Sequence, residues 1–129
     1  MDRPITFISH FRVKAGHAGA FRNLWDSVAA ALEASKPATT AYLGYLDKDE
    51  TSLTIVHVFP GAKAMGAHFA GAEDRAAAAY EHIEPAGWEV YGTPDPESIA
   101  MLQGAAAQSG APLTWEPNGL GGFLRPGIR

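Results

Sequence analysis

The sequence predicts an α+β fold of the split β-α-β type, with one sheet, helices on one face and a C-terminal helix and arm beyond the repeat. Three observations carry this. Period-two runs of β-branched and aromatic residues alternate with apolar stripes at three- and four-residue steps. The order is strand, helix, strand, strand, helix, strand, so the chain reads as two similar halves. Pro and Gly stand at the junctions between these runs. The 129 residues, 47% of them apolar, suit one core rather than two.

Ile5 to Val13 opens the pattern. Ile5, Phe7, Ser9, Phe11 and Val13 share one face, while Thr6, Ile8, His10 and Arg12 share the other. Lys14-Ala15-Gly16 is a turn. Phe21, Leu24, Trp25, Val28 and Leu32 then form a helical stripe that stops before Pro37. A second strand runs over Thr39 to Leu46. Asp47-Lys48-Asp49-Glu50 reads as a solvated hairpin tip, and Ser52 to Phe59 as the third strand. Met65, Phe69, Ala72, Ala76, Tyr80 and Ile83 mark a second helix that Pro85 stops, and Ala86 to Tyr91 is a short fourth strand. Right-handed crossovers give the ferredoxin-like βαββαβ arrangement over residues 1–93, with strands one and three expected as central, parallel neighbours.

Residues 94–129 form an extension expected to pack on this domain or across a dimer. Asp95 is placed to cap a helix with Pro96 in its first turn, and the helix should end near Gly110. The remainder is rich in Gly and Pro, which argues against regular structure. Leu113, Trp115, Leu120, Phe123 and Leu124 are nonetheless too apolar for a solvated tail. Both faces of the strands carry apolar residues, and helices cover only one. A second copy is the simplest cover for the other, so a symmetric homodimer is expected.

Composition excludes several functions. A formal charge of −4 and a pI near 5.6 oppose a phosphate-backbone binder, so no nucleic-acid partner is expected. Cysteine is absent, which removes disulfides, thiol catalysis and cysteine metal sites. The most apolar window, Leu53 to Phe59, is far shorter than the roughly 20 residues of a bilayer-spanning helix, so a cytoplasmic protein without a membrane partner is expected.

Histidines carry the chemical interest. An imidazole in the run Leu53-Thr54-Ile55-Val56-His57-Val58-Phe59 must lose solvation or find a partner. It is either a hydrogen-bonded core residue or the base of a pocket. His68, beside Phe69 on the second helix, is placed to fold back toward His57; these two are the candidate catalytic residues. His10 and Arg12, on the neighbouring strand, are candidate substrate contacts, as are Trp25 and Trp88. For Trp25 core packing, and for Arg12 a surface charge, are the ordinary alternatives. No tight metal-ligand spacing links the histidines. Asn118-Gly119-Leu120-Gly121-Gly122 lacks the Lys-Ser/Thr of a phosphate loop and reads as turn chemistry.

Val13-Lys14-Ala15-Gly16 followed by Phe21 and Trp25 resembles the first β-α unit of the antibiotic biosynthesis monooxygenase-like proteins. The stretch Leu53 to Phe59, followed by Ala64-Met65-Gly66-Ala67-His68, resembles their third strand and second helix, where many members carry an Ala-large-x-x-His pattern. The resemblance covers residues 5–92. It implies a dimeric α+β barrel with pockets between sheet and helices. Some members oxygenate anthrone-like polyphenols without metal or flavin; others degrade haem or act as isomerases, decarboxylases or quinol oxygenases. The haem-degrading branch resembles an Asn on strand one with a Trp and a His near helix two. Here strand one offers Ser9 and His10, and helix two has no Trp, which disfavours haem degradation. The Asn, Trp and Arg set of the anthrone oxygenases does not transfer either, since Asn23 points away from its helix's apolar stripe.

Two functions follow as expectations. One is a cofactor-independent enzyme acting on a small aromatic or quinol-like metabolite. The other is a non-catalytic dimeric module that binds a small molecule or scaffolds.

Overall fold

The computed structural model describes residues 3–125. The element order is β1 (Ile5–Val13), α1 (Ala18–Ser35), β2 (Ala41–Leu46), β3 (Ser52–Phe59), α2 (Ala62–Phe69), α3 (Ala72–Ala79), β4 (Ile83–Tyr91), α4 (Pro96–Ser109) and β5 (Leu113–Glu116). The strands form one sheet in the order β2-β3-β1-β4-β5. This is the α+β, ferredoxin-like arrangement the alternation implies, extended by one strand.

Four details differ from expectation. β1 and β3 are central neighbours but antiparallel, with Phe7 opposite His57 and Ile5 opposite Phe59. The hairpin between β2 and β3 reverses the chain after the crossover, so no parallel pair arises within the βαββαβ unit. The second helix is two helices. Ala70 is extended and Gly71 takes φ +83°, a left-handed value that costs a residue with a Cβ about 1–2 kcal/mol. The fourth strand starts at Ile83, not Ala86, and Pro85 lies inside it. Its register against β1 shifts between His10 and Phe11, and β5 pairs only from Trp88 onward, so Pro85 sits at an irregular edge where its missing N–H costs no ladder bond. The Gly/Pro-rich tail contains β5, which runs parallel to β4 with Trp88 opposite Leu113.

The extension begins as its sequence dictates. The Asp95 carboxylate accepts from the Ser98 N–H at 2.7 Å, Pro96 opens α4, and Gly110 at φ +75° ends it. Ala111 and Leu113 join the core. Leu120, Phe123 and Leu124 do not pack on their own domain and stand exposed; residues 126–129 of the arm lie outside the described range.

The core splits into two clusters on one face of the sheet. One gathers Phe7, Phe59, Met65, Trp88, Val90 and Leu102 under α2 and α4. The other gathers Phe11, Phe21, Leu53, Ile55 and Ile83 under α1. The opposite face carries Ile8, Leu43, Tyr45, Val56 and Val58, and no described residue of the chain covers it; Leu43 is 49% and Tyr45 57% exposed. None of the described helices is long and apolar enough to cross a membrane.

Candidate active site

The helix-facing side of β1 interrupts its apolar series at Ser9, and that of β3 does so at His57. Both fall near the gap between the two core clusters. Above them α2 delivers a third buried polar residue, His68. A half-open cavity of about 870 Å³ occupies this gap, between the sheet and α1, α3 and α4. The alanines of α3 are short, and no α3 residue is buried, so that helix forms a wall without filling the space beneath it.

The wall around the imidazoles is aromatic. Trp25 stacks on Tyr42 with centroids 4.6 Å apart and planes 7° from parallel. Tyr42 meets His57 edge-on at 5.2 Å, and His57 meets His68 at 5.3 Å with perpendicular planes. Phe7 covers His57 at 4.8 Å. Gly44 makes the Trp25 position possible: a Cβ there would lie 2.8 Å from the indole ring.

His57 is 6% exposed. Its Nδ1 lies 3.0 Å from the Phe7 carbonyl, which can only accept, so Nδ1 carries the proton. Nε2 is then a lone pair. It has no protein partner, yet no buried side-chain nitrogen or oxygen among the described residues is unsatisfied; Nε2 therefore opens on the cavity. Burial pushes the His57 pKa down to about 3, with the neighbouring His68 next in effect and the Phe7 carbonyl opposing. His68 is pushed down to about 4, first by burial, then by the Arg75 and Lys36 cations. Both are neutral imidazoles at pH 7. Burial also drives the Tyr42 hydroxyl up to about 12, so it stays a phenol there.

His68 is held through its ring by Thr39 and through its backbone carbonyl by Arg75. The Thr39 hydroxyl lies 2.7 Å from Nδ1. The C-terminal carbonyls of α2, the negative end of its dipole, take two cations: Lys36 donates to Ala67 and Ala70 at 2.8 and 3.2 Å, and Arg75 donates to His68 and Ala70 at 2.6 and 3.1 Å.

The other expected site residues divide. Trp25 and Trp88 line the cavity with His57 and His68. His10 and Arg12 stand on the opposite face of the sheet, because alternate residues of β1 point to opposite sides. His10 Nε2 lies 2.5 Å from Glu89, whose other oxygen accepts from Tyr91, and Arg12 pairs with Glu84 at 3.4 Å. The three histidines accordingly do not converge. Asp47, in the acidic hairpin, accepts from Thr51 and Ser52 N–H groups and closes its own turn.

Sequence reasoning missed Arg75, Thr39, Tyr42 and Ser9. Tyr42 was reachable: it alternates with Gly44 and Leu46 on the face that meets His57. Arg75 had a weaker signal, as the lone cation in an alanine run seven residues after His68. Thr39 had none.

No family model matches the chain, and no curated protein matches it. Solved structures do. MupZ from Pseudomonas fluorescens superposes with a TM-score of 0.71 at 18% identity, covering 99% of each chain, so the likeness takes in α4 and β5. SnoaB from Streptomyces nogalater, a cofactor-independent oxygenase, gives 0.60 at 18% identity over 74% of this chain and 96% of its own. A putative antibiotic biosynthesis monooxygenase from Caulobacter crescentus gives 0.61 at 17% identity over 69% and 88%. The resemblance read from residues 5–92 is thus borne out at the level of fold.

Proposed function

We propose that this chain, which shares the fold of the antibiotic biosynthesis monooxygenase-like proteins, is a cytoplasmic, homodimeric, cofactor-independent oxygenase acting on a small aromatic or quinol-like metabolite. The observation that carries the reading is a neutral, tautomerically fixed imidazole, His57, whose free Nε2 faces a half-open aromatic cavity. The fold shared with SnoaB supports it.

A planar polyphenol with an acidic CH₂ between its rings stacks against the Trp25–Tyr42 pair. His57 Nε2 removes a proton from that carbon, leaving a delocalised carbanion. Because burial disfavours the imidazolium so strongly, it forms only with the substrate anion beside it; the two charges appear together. The carbanion passes one electron to O₂, and the radical pair recombines into a C–O bond. The proton on His57 returns to the peroxide. Loss of water, which takes the remaining hydrogen, leaves a carbonyl. One oxygen atom enters the product and the other leaves in water, so O₂ is the only oxidant required. The apolar walls shield the anion from protonation by solvent. His68 orients the ring of His57 by its edge contact and is the second candidate proton carrier.

The open sheet face supports the dimer. Ile8, Leu43, Tyr45, Val56 and Val58 form an apolar strip that an identical strip on a second copy would remove from water. Light scattering tests this: a mass near 27 kDa is expected, about twice the 13.7 kDa chain, and a monomer at micromolar concentration would refute it.

Oxygen uptake with a panel of anthrones and quinols tests the chemistry. Consumption by the wild type, with loss of about 10²-fold or more in His57→Asn, is expected. Uptake unaffected by His57→Asn and His68→Ala rejects the assigned base. Tight binding of panel members without any oxygen uptake points instead to the non-catalytic binding module.

A further inference from the structure

Arg75 stands among the aromatic rings with a positive charge that no described residue neutralises. It lines the cavity, and its hydrogen bonds go to the backbone carbonyls of His68 and Ala70. Among the described residues no carboxylate forms an ion pair with it. Glu73, the one acid along the cavity wall, is two residues away on α3, a spacing that points the two side chains apart. Both histidines beside it are neutral at pH 7, as is Tyr42. A half-buried guanidinium in such surroundings has lost hydration that two neutral carbonyls only partly replace. The bonds to α2 fix it in place, and its remaining N–H groups are unspent.

We propose that Arg75 is the anion-recognition residue of this cavity, and that the preferred ligand is a planar aromatic carrying a carboxylate. Stacking on the Trp25–Tyr42 pair supplies contact area, and the guanidinium supplies a planar fork matched to two carboxylate oxygens. Arg75 is the one cation among the described residues that line the cavity, which suits a single negative charge; a dianion such as a phosphate monoester would enter with half its charge uncompensated. The inference rests on the cavity's being a site for an aromatic ligand, as proposed above, and not on oxygenation.

The test compares two isosteres, 2-naphthoate and 2-naphthamide, by tryptophan quenching and calorimetry on the full chain at pH 7. The wild type should bind the acid at least tenfold more tightly than the amide. Arg75→Gln should abolish that preference while leaving amide affinity within about twofold, and Arg75→Lys should restore part of it. A purely structural Arg75, acting only as the cap of α2, would weaken both probes equally, and that outcome overturns the proposal. Equal affinity of the wild type for acid and amide overturns it too. Failure of both to bind at millimolar concentration overturns it together with the aromatic-ligand reading. Selective binding of the acid with no oxygen uptake from any substrate leaves the anion site standing and removes the oxygenase reading alone.

Discussion

Lowering the pH from 7 to 5 should destabilise this protein by an amount set largely by two side chains. In the unfolded chain a histidine titrates near 6.5; in the fold His57 does so at about 3 and His68 at about 4. Between those values the unfolded state binds protons that the folded state refuses, so stability is fully present above pH 6.5 and declines as the pH falls toward the folded values. At pH 5 the difference is about 2 kcal/mol for each histidine, about 4 kcal/mol together, using about 1.4 kcal/mol per pH unit. That is a large part of the roughly 5–15 kcal/mol typical of a domain. The depressed carboxylates act in the same direction but chiefly lower: Asp47 and Glu89 lose their contributions as the pH falls below their ordinary values of 3.8 and 4.5. Urea unfolding followed by far-ultraviolet circular dichroism at pH 7 and pH 5, at one protein concentration, measures the loss. His57→Asn with His68→Asn is the control. Asn can donate an amide hydrogen where Nδ1 does, so the bond to the Phe7 carbonyl survives while the titration disappears. The wild type should lose several kcal/mol and the double variant less than about 1 kcal/mol. A wild-type loss below about 1 kcal/mol, or an undiminished loss in the variant, would refute the claim that these imidazoles are held neutral by burial.

Three further expectations follow from single contacts. Gly44→Ala drives a methyl against the Trp25 ring, where 2.8 Å is available; it should cost about 1–3 kcal/mol and shift the tryptophan emission, both read in urea melts. Asp95→Ala leaves the Ser98 N–H of α4 without its cap and should cost about 1 kcal/mol, with Asp95→Asn retaining most of the stability. Val56→Asp places a charge at the centre of the open sheet face; in the proposed dimer it should lower the light-scattering mass to that of one chain while circular dichroism stays unchanged.

Alternation and helical stripes suffice for the strands and helices here because each reports which face of a local element avoids water. That is why β1, β3 and the cap of α4 are legible residue by residue. The break between α2 and α3 was less so. Gly71 inside an apolar stripe is compatible with a continuous helix, and only the packing of α2 on the core and of Arg75 on its last carbonyls selects the interruption. Pro85 shows the same limit. Its missing N–H ends a helix or tolerates a strand edge equally well, and the choice depends on where β5 stops.

The site divides along this line. The lost solvation of His57 was legible from the apolar run that contains it, and the inward placement of His68 from its helical stripe; the aromatic wall that Tyr42 completes was not. The exclusion of His10 and Arg12 follows from the pleat, which puts neighbours in sequence on opposite faces of the sheet. Local pattern alone determined the α+β class, the element order and the position of the terminal cap. Tertiary structure decided that Arg75 returns to the cavity and that Nε2 of His57 is free. Those depend on contacts between residues distant in the chain, and hydrophobic periodicity carries no record of what lies across the gap.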